Sequence, residues 1–268
     1  MAFSDLALSR RLERAEGFAC SQFAEARRHL YPKSGAAWID CAGTYAVFDG
    51  VDSPVTQTFG LGLDVDWNET SLDTIERFFL DHRAPVAHEV SPFAGVDTFK
   101  LLCERNYRPV EISNVLYKTV DSPQPVHESE IHIRVVDQEE AHIWSEVNAR
   151  GWSHEYPELL NFVLESGTIS AICPNTLCFL AEYEGVPGAA GAMCMRNGVA
   201  LFGGAATVPE MRRRGLQTAL LYERMRYALD HGCDTAMIVA LPGSDSHRNA
   251  ERKGFRIAYT RTKWKLFR

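Results

Sequence analysis

The sequence predicts an α/β fold (α+β in some schemes): two domains in tandem, each a mixed, mainly antiparallel twisted sheet flanked by helices. Three observations carry this expectation. Strand-like apolar runs alternate with amphipathic helical patterns along the chain. Hairpin-type turn signals separate strands in both halves, Asp49-Gly50 in the first and Asn197-Gly198 in the second. The halves also echo each other. Leu80-Asp81-His82 matches Leu229-Asp230-His231, Pro92 matches Pro242, and Lys118 after Tyr117 matches Lys265 after Trp264. Glu104-Arg105-Asn106-Tyr107-Arg108 parallels Glu251-Arg252-Lys253-Gly254-Phe255-Arg256 with one gap. A nearly constant offset, about 150 residues, with element order kept, indicates a tandem duplication.

Taken in order, residues 4–30 form a helix whose apolar stripe includes Leu8, Leu12, Ala15, Ala19 and Phe23. Ala36–Phe48 is a strand pair broken at Gly43, and Val55–Leu63 is a further strand. Its Gly60-Leu61-Gly62 lacks the third glycine and helix start of a dinucleotide site. A helix from Thr70 or Ser71, a strand over Val86–Val90, a short helix over Val96–Arg105 and a strand over Tyr107–Val120 complete the first half. Residues 121–130, polar and holding two prolines, read as a linker between domains 1–120 and 131–268. The second domain begins with a strand over Ile131–Val136 and helices over about 138–150 and 157–165. Strands over Thr176–Tyr183, Gly188–Met195 and Val199–Thr207 follow. A long helix to His231, a strand over Thr235–Ala240, a helix over Ser246–Lys253 and a strand over Phe255–Leu266 finish the chain.

With 268 residues, 46% hydrophobic and 24% charged, the composition is that of a globular protein. No apolar run approaches the roughly 20 residues of a membrane span, and no basic leader precedes an apolar segment. The seven cysteines are scattered, odd in number and free of Cys-x-x-Cys, so reduced thiols and a cytoplasmic location are expected, with no metal site. A net charge of −7 argues against general nucleic-acid binding and leaves room for an amine-bearing substrate.

Against that acidic background Val208-Pro-Glu-Met-Arg-Arg-Arg-Gly-Leu-Gln-Thr-Ala-Leu220 stands out. A strand ends, a basic loop with one glycine turns, and a helix begins, with Leu216, Leu220, Leu221, Met225, Ala228 and Leu229 on its apolar face. Unpaired N–H groups and the positive end of a helix dipole converge there, suiting a phosphate or pyrophosphate. The loop resembles the coenzyme A loop of the GNAT superfamily of N-acetyltransferases, Gln/Arg-x-x-Gly-x-Gly/Ala. Arg212, Gly215 and Gln217 occupy its marked positions, and Gln217 departs from the usual small residue. The corresponding stretch of the first half, Asp64-Val-Asp-Trp-Asn-Glu-Thr70, is acidic and would repel a pyrophosphate. The resemblance therefore implies a degenerate GNAT-like first domain and an acetyl-CoA-binding second one.

The resemblance further implies that backbone groups of Ala206, Thr207 and Val208 pair with the pantetheine arm, the Val208 N–H also supporting the oxyanion. The pyrophosphate would lie on the N–H groups of Arg213, Arg214, Gly215, Leu216, Gln217 and Thr218, with Arg212 adding charge. Asn249 stands where the family often places a polar contact to the cofactor, or is a helix-surface amide. The family's tyrosine acid falls at Ala250 and is missing. Glu155, His247 and Tyr259 are candidate replacements for acid and base, against loop, core or sheet-packing roles. The implied reaction is direct acetyl transfer to a primary amine of a small molecule or peptide. A non-catalytic acyl-CoA-binding or sensing module is the alternative, in either case as a monomer or homodimer.

Overall fold

A computed structural model describes residues 4–122, 130–153, 157 and 160–267. The chain divides into two compact units, Met1–Thr119 with Met237–Arg268, and Val120–Ala236. The first differs from the expected domain 1–120 because it takes in the C-terminal segment, which the sequence assigns to the second domain.

The first unit holds α1 (Leu6–Leu30), β1 (Ala37–Cys41), β2 (Thr44–Phe48), β3 (Gln57–Phe59), α2 (Glu69–Asp81), β4 (Ala87–Val90), α3 (Gly95–Glu104) and β5 (Tyr107–Thr119). Strand β2 is buried along its whole length because both faces are covered. Tyr45 and Val47 pack with Ala24 beneath α1, whereas Ala46 and Phe48 join Leu72, Ile75 and Phe79 of α2. Strand β3 stops at Phe59, short of the expected Leu63, because Gly60 and Gly62 take φ of +82° and +74° and turn the chain. At the acidic stretch, α2 starts on Asn68, whose side chain accepts from the Ser71 N–H, and carries Glu69 in its first turn. That helix start is capped and negative, so it offers nothing to an anion.

Strand β11 (Arg256–Leu266) sits between β4 and β5 and pairs antiparallel with both. Its register on β5 runs from Arg256 opposite Tyr117 to Leu266 opposite Tyr107. The strands that echo each other in sequence thus pair with each other, which is why the compact units do not follow the repeat boundary. All described pairings in this unit's β1-β2-β3-β4-β11-β5 sheet are antiparallel except β3 with β4. α7 (Asp245–Arg252), capped by Ser244, precedes β11, and β10 (Thr235–Ala240) crosses the division between the units.

The second unit is an antiparallel sheet in the order β9-β8-β7-β6: β6 (Ile131–Val135), β7 (Thr176–Tyr183), β8 (Val186–Arg196) and β9 (Val199–Thr207). The Asn197-Gly198 hairpin forms, both residues at positive φ. α4 (Ala141–Ser153) and α5 (Leu160–Ile172) cover one face, where Trp144 and Val147 meet Cys178, Leu180 and Ala190. α6 (Leu216–Asp230) covers the other, with Tyr227 edge-on to Phe179. α5 runs past its expected end at Glu165, through Gly167. A Cβ there would lie 2.4 Å from Ser145 Oγ, so the glycine serves close helix packing and does not end the helix.

Candidate functional site

The basic loop is built from the end of β9 outward. Val208 is buried against the α4 face, Pro209–Met211 make a single 3-10 turn, and Arg212 is extended. Arg213 then takes φ +64° and Gly215 φ +88°, two left-handed residues that aim the chain into α6. The Gly215 φ, more than crowding, selects glycine: an added Cβ would find Ile131 Cδ1 only at 3.8 Å. α6 has no side-chain cap and no acidic residue in its first turn, and its first backbone bond runs from the Ala219 N–H to the Gly215 carbonyl. Among the described residues the consecutive N–H groups from Arg213 to Thr218 therefore meet no acceptor. Arg213 and Arg214 are exposed beside them, Arg214 lying 4.8 Å over the Tyr183 ring.

Arg212 is turned the other way. Its guanidinium donates to the Thr207 carbonyl (3.5 Å) and to the Gly151 carbonyl (3.4 Å) near the C-terminus of α4, bracing the loop. The charge available to an anion comes from Arg213 and Arg214.

Strand β9 carries a bulge that the sequence reading lacks. Ala192 faces Gly203 and Ala190 faces Ala206, so β9 has one extra residue, and Gly204 takes φ +56°. Gly203, Gly204 and Ala205 are exposed in an otherwise largely buried strand. The adjacent glycines inside a strand pattern were the available signal. Beyond the bulge, the Val208 N–H donates to the Gly188 carbonyl at 3.0 Å. It is spent on the ladder, which corrects its expected role as oxyanion donor. By strand alternation, Thr207 then turns its backbone groups away from β8, in keeping with the Arg212 bond to its carbonyl.

The remaining candidates do not join the loop in one compact unit; His247, Asn249 and Tyr259 belong to the first unit. His247 is buried, with Nδ1 accepting from the Gly243 N–H (3.4 Å) and Nε2 lying 3.2 Å from the Asn114 amide. Thr260 Oγ1 in turn donates to Asn114 Oδ1 at 2.7 Å, with Asn114 Nδ2 turned toward Nε2. This network ties α7 to β5 and β11 and occupies both ring nitrogens. Asn249 is exposed on α7 and accepts from Arg252, as a helix-surface amide does. Ala250, at the family's tyrosine position, is buried.

Tyr259 has a different task from the expected acid. Its hydroxyl donates to Glu13 Oε1 at 2.9 Å, and burial together with the Glu13 charge raises its pKa well above the usual tyrosine range. Glu13 also meets Arg261 Nη1 at 3.0 Å and accepts the Gly60 N–H at 3.2 Å. Arg261 further holds Glu16 and lies 3.1 Å from Glu89. Glu155 lies outside the described residues. Among the described residues no His, Cys, Asp and Glu group could hold a metal, and no helix is long and apolar enough to cross a membrane. An open groove of about 590 Å³ lies elsewhere, over the start of α2, lined by Cys41, Asn68, Glu69, Thr70, Ser71 and Thr74.

A family model described as the acetyltransferase (GNAT) family matches residues 138–255, a span that includes β9, the basic loop and α6. Comparison with curated proteins finds no match. Among solved structures, a GCN5-related N-acetyltransferase from Kribbella flavida is similar with a TM-score of 0.65 at 18% identity, covering 92% of this chain and 95% of its own. A GCN5-related N-acetyltransferase from Sphaerobacter thermophilus gives 0.57 at 17% identity, over 86% of this chain and 75% of its own. A tandem GNAT protein from the clavulanic acid biosynthesis pathway gives 0.55 at 13% identity, over 75% of this chain and 70% of its own. Such identities speak for fold alone, and they do so across both halves. The chain thus carries a GNAT-family acetyltransferase domain over residues 138–255, within a fold it shares with GNAT structures along most of its length.

Proposed function

We propose that the protein is an acetyl-CoA-dependent N-acetyltransferase that moves an acetyl group directly to a primary amine of a small molecule or peptide. The observation that carries this reading is the run of N–H groups from Arg213 to Thr218 that meet no acceptor among the described residues, at the uncapped start of α6 and flanked by Arg213 and Arg214. These donors bind the pyrophosphate, and the pantetheine lies along Ala206 and Thr207. The neutral amine attacks the thioester carbonyl, and the Thr207 N–H supports the oxyanion. Collapse breaks the C–S bond, and the proton lost by nitrogen passes to the departing thiolate, so the transfer balances without a covalent enzyme intermediate. Glu155 is the proposed base that keeps the amine neutral.

A non-catalytic acyl-CoA-binding module is the second reading. It is favoured by Ala250 and by the engagement of His247 and Tyr259 in networks of their own. Calorimetric titration of acetyl-CoA into the wild type and Gly215→Glu, followed by thiol release with a panel of amines, separates the two. Micromolar binding, about 8 kcal/mol, that disappears in the variant supports the cofactor site. Thiol release that depends on an amine supports the transferase, and binding without release supports the module. No binding by the wild type overturns both.

A further inference from the structure

We propose that Arg224 and Asn148 are positioning residues for acyl transfer, clamping the β9 bulge from opposite faces of the sheet. The inference rests on the proposed transferase reading, in which the acyl group meets the end of β9 at Thr207, immediately after the bulge at Gly203–Ala205.

A bulge interrupts the ladder and leaves carbonyls without a strand partner. Here two side chains supply the donors. From the α4 side, Asn148, itself buried, donates Nδ2–H to the Gly204 carbonyl. From the α6 side, Arg224 donates Nη1–H to the Ala192 carbonyl at 3.0 Å, directly across from Gly203. Room for the guanidinium is left by an absent side chain: a Cβ on Gly191 would come 3.1 Å from the Arg224 guanidinium carbon.

Arg224 is otherwise an expensive residue for its place. It is 2% exposed, pairs with no carboxylate among the described residues, and has the Phe202 ring 4.9 Å away and its own helix carbonyl of Leu220 as its other partners. Packing alone beneath this sheet would be served at lower cost by methionine or leucine. Burial drags its pKa down to about 10, so it still carries its charge and all its donors at neutral pH. What the guanidinium adds over an apolar side chain is a fixed donor fork at the one irregular point of β9. Backbone groups at an acyl centre must be held within a few tenths of an ångström to favour the transition state over the ground state.

The test uses the whole chain with Arg224→Met, Arg224→Lys and Asn148→Ala. In amine-dependent thiol release, Arg224→Met and Asn148→Ala each lower kcat about tenfold while KM for acetyl-CoA stays within about twofold, and Arg224→Lys recovers part of the loss. Backbone amide exchange over Gly203–Ala206 quickens in the same two variants, while amides of α5 keep wild-type rates. Unchanged kcat with only a lowered melting temperature, or unchanged exchange at the bulge in both variants, overturns the clamp. Should Arg224→Met fail to fold, Asn148→Ala decides from the opposite face. Should the wild type release no thiol, the transferase reading falls, and the exchange measurement alone decides whether the clamp exists.

Discussion

Replacing Arg261 with methionine should unlock the first unit in a pH-dependent way. The guanidinium is 2% exposed and bonds Glu13 at 3.0 Å and Glu16 at 2.6 and 2.9 Å, with Glu89 at 3.1 Å. Glu13 and Glu89 side chains are 0% and 4% exposed, and burial pushes both carboxyls above the usual range while Arg261 pulls against it. Methionine keeps the stem but leaves these carboxylates without their shared cation, Lys263 remaining only near Glu89 at 3.5 Å. Stranding buried charge in this way costs about 3–5 kcal/mol at neutral pH. The sign follows from linkage. A carboxyl whose folded-state pKa is raised binds its proton more tightly when folded, so its stability contribution is present at low pH and lost as pH rises through the raised value. Removing Arg261 raises Glu13 and Glu89 further, so the deficit of Arg261→Met should be largest near neutrality and shrink as the solution is acidified toward the ordinary carboxylate range. Urea unfolding of wild type and variant at about pH 7.5 and about pH 5 reads this directly. A loss below about 1 kcal/mol at the higher pH, or an equal loss at both, would refute the reasoning.

Three further outcomes are expected. Tyr259→Phe should cost about 1–3 kcal/mol of stability through the hydrogen bond lost to the charged, buried Glu13 carboxylate yet leave amine-dependent thiol release unchanged; a selective loss of kcat would restore the phenol to catalysis. His88 is fully buried, bonded through Nδ1 to Thr58 at 2.9 Å with Nε2 unpaired, and burial lowers its pKa from 6.5 to about 3. Its contribution is therefore intact above the unfolded value and lost as pH falls through that window, at about 1.4 kcal/mol per unit near pH 5, and His88→Leu should flatten the acid limb of the stability curve by that slope. Arg213→Glu with Arg214→Glu should weaken acetyl-CoA binding by at least about tenfold, and more at low salt, with no change in melting temperature because both side chains are exposed; a salt-independent effect would place the phosphates elsewhere.

What could be read from the sequence was local. The Asn197-Gly198 turn, the helix after Gly215 and the acidic replacement at Asp64–Thr70 are each decided by neighbours a few residues away, and each is found where the pattern puts it. The Gly60-Leu61-Gly62 stretch ends a strand, as its two positive φ angles require. What escaped was non-local. Nothing near Arg261 announces Glu13, which lies 248 residues away in sequence. Tyr259 reads as an available phenol until α1 brings Glu13 against it. The β9 bulge, and with it the loss of the Val208 N–H to Gly188, depends on cross-strand register, which a single strand's alternation does not specify.

The insertion of β11 has a consequence for synthesis. The ribosome delivers β4 and β5 long before residues 256–266, and until then these two strands, neighbours across a missing member, expose open edges and the buried acids Glu13 and Glu89 without their cation. The first unit to be made is thus the last to be finished. Nascent chains halted between β5 and β11 should be sensitive to protease in their N-terminal half and reliant on holding chaperones, and damage to the last strand should be felt at the opposite end of the polypeptide.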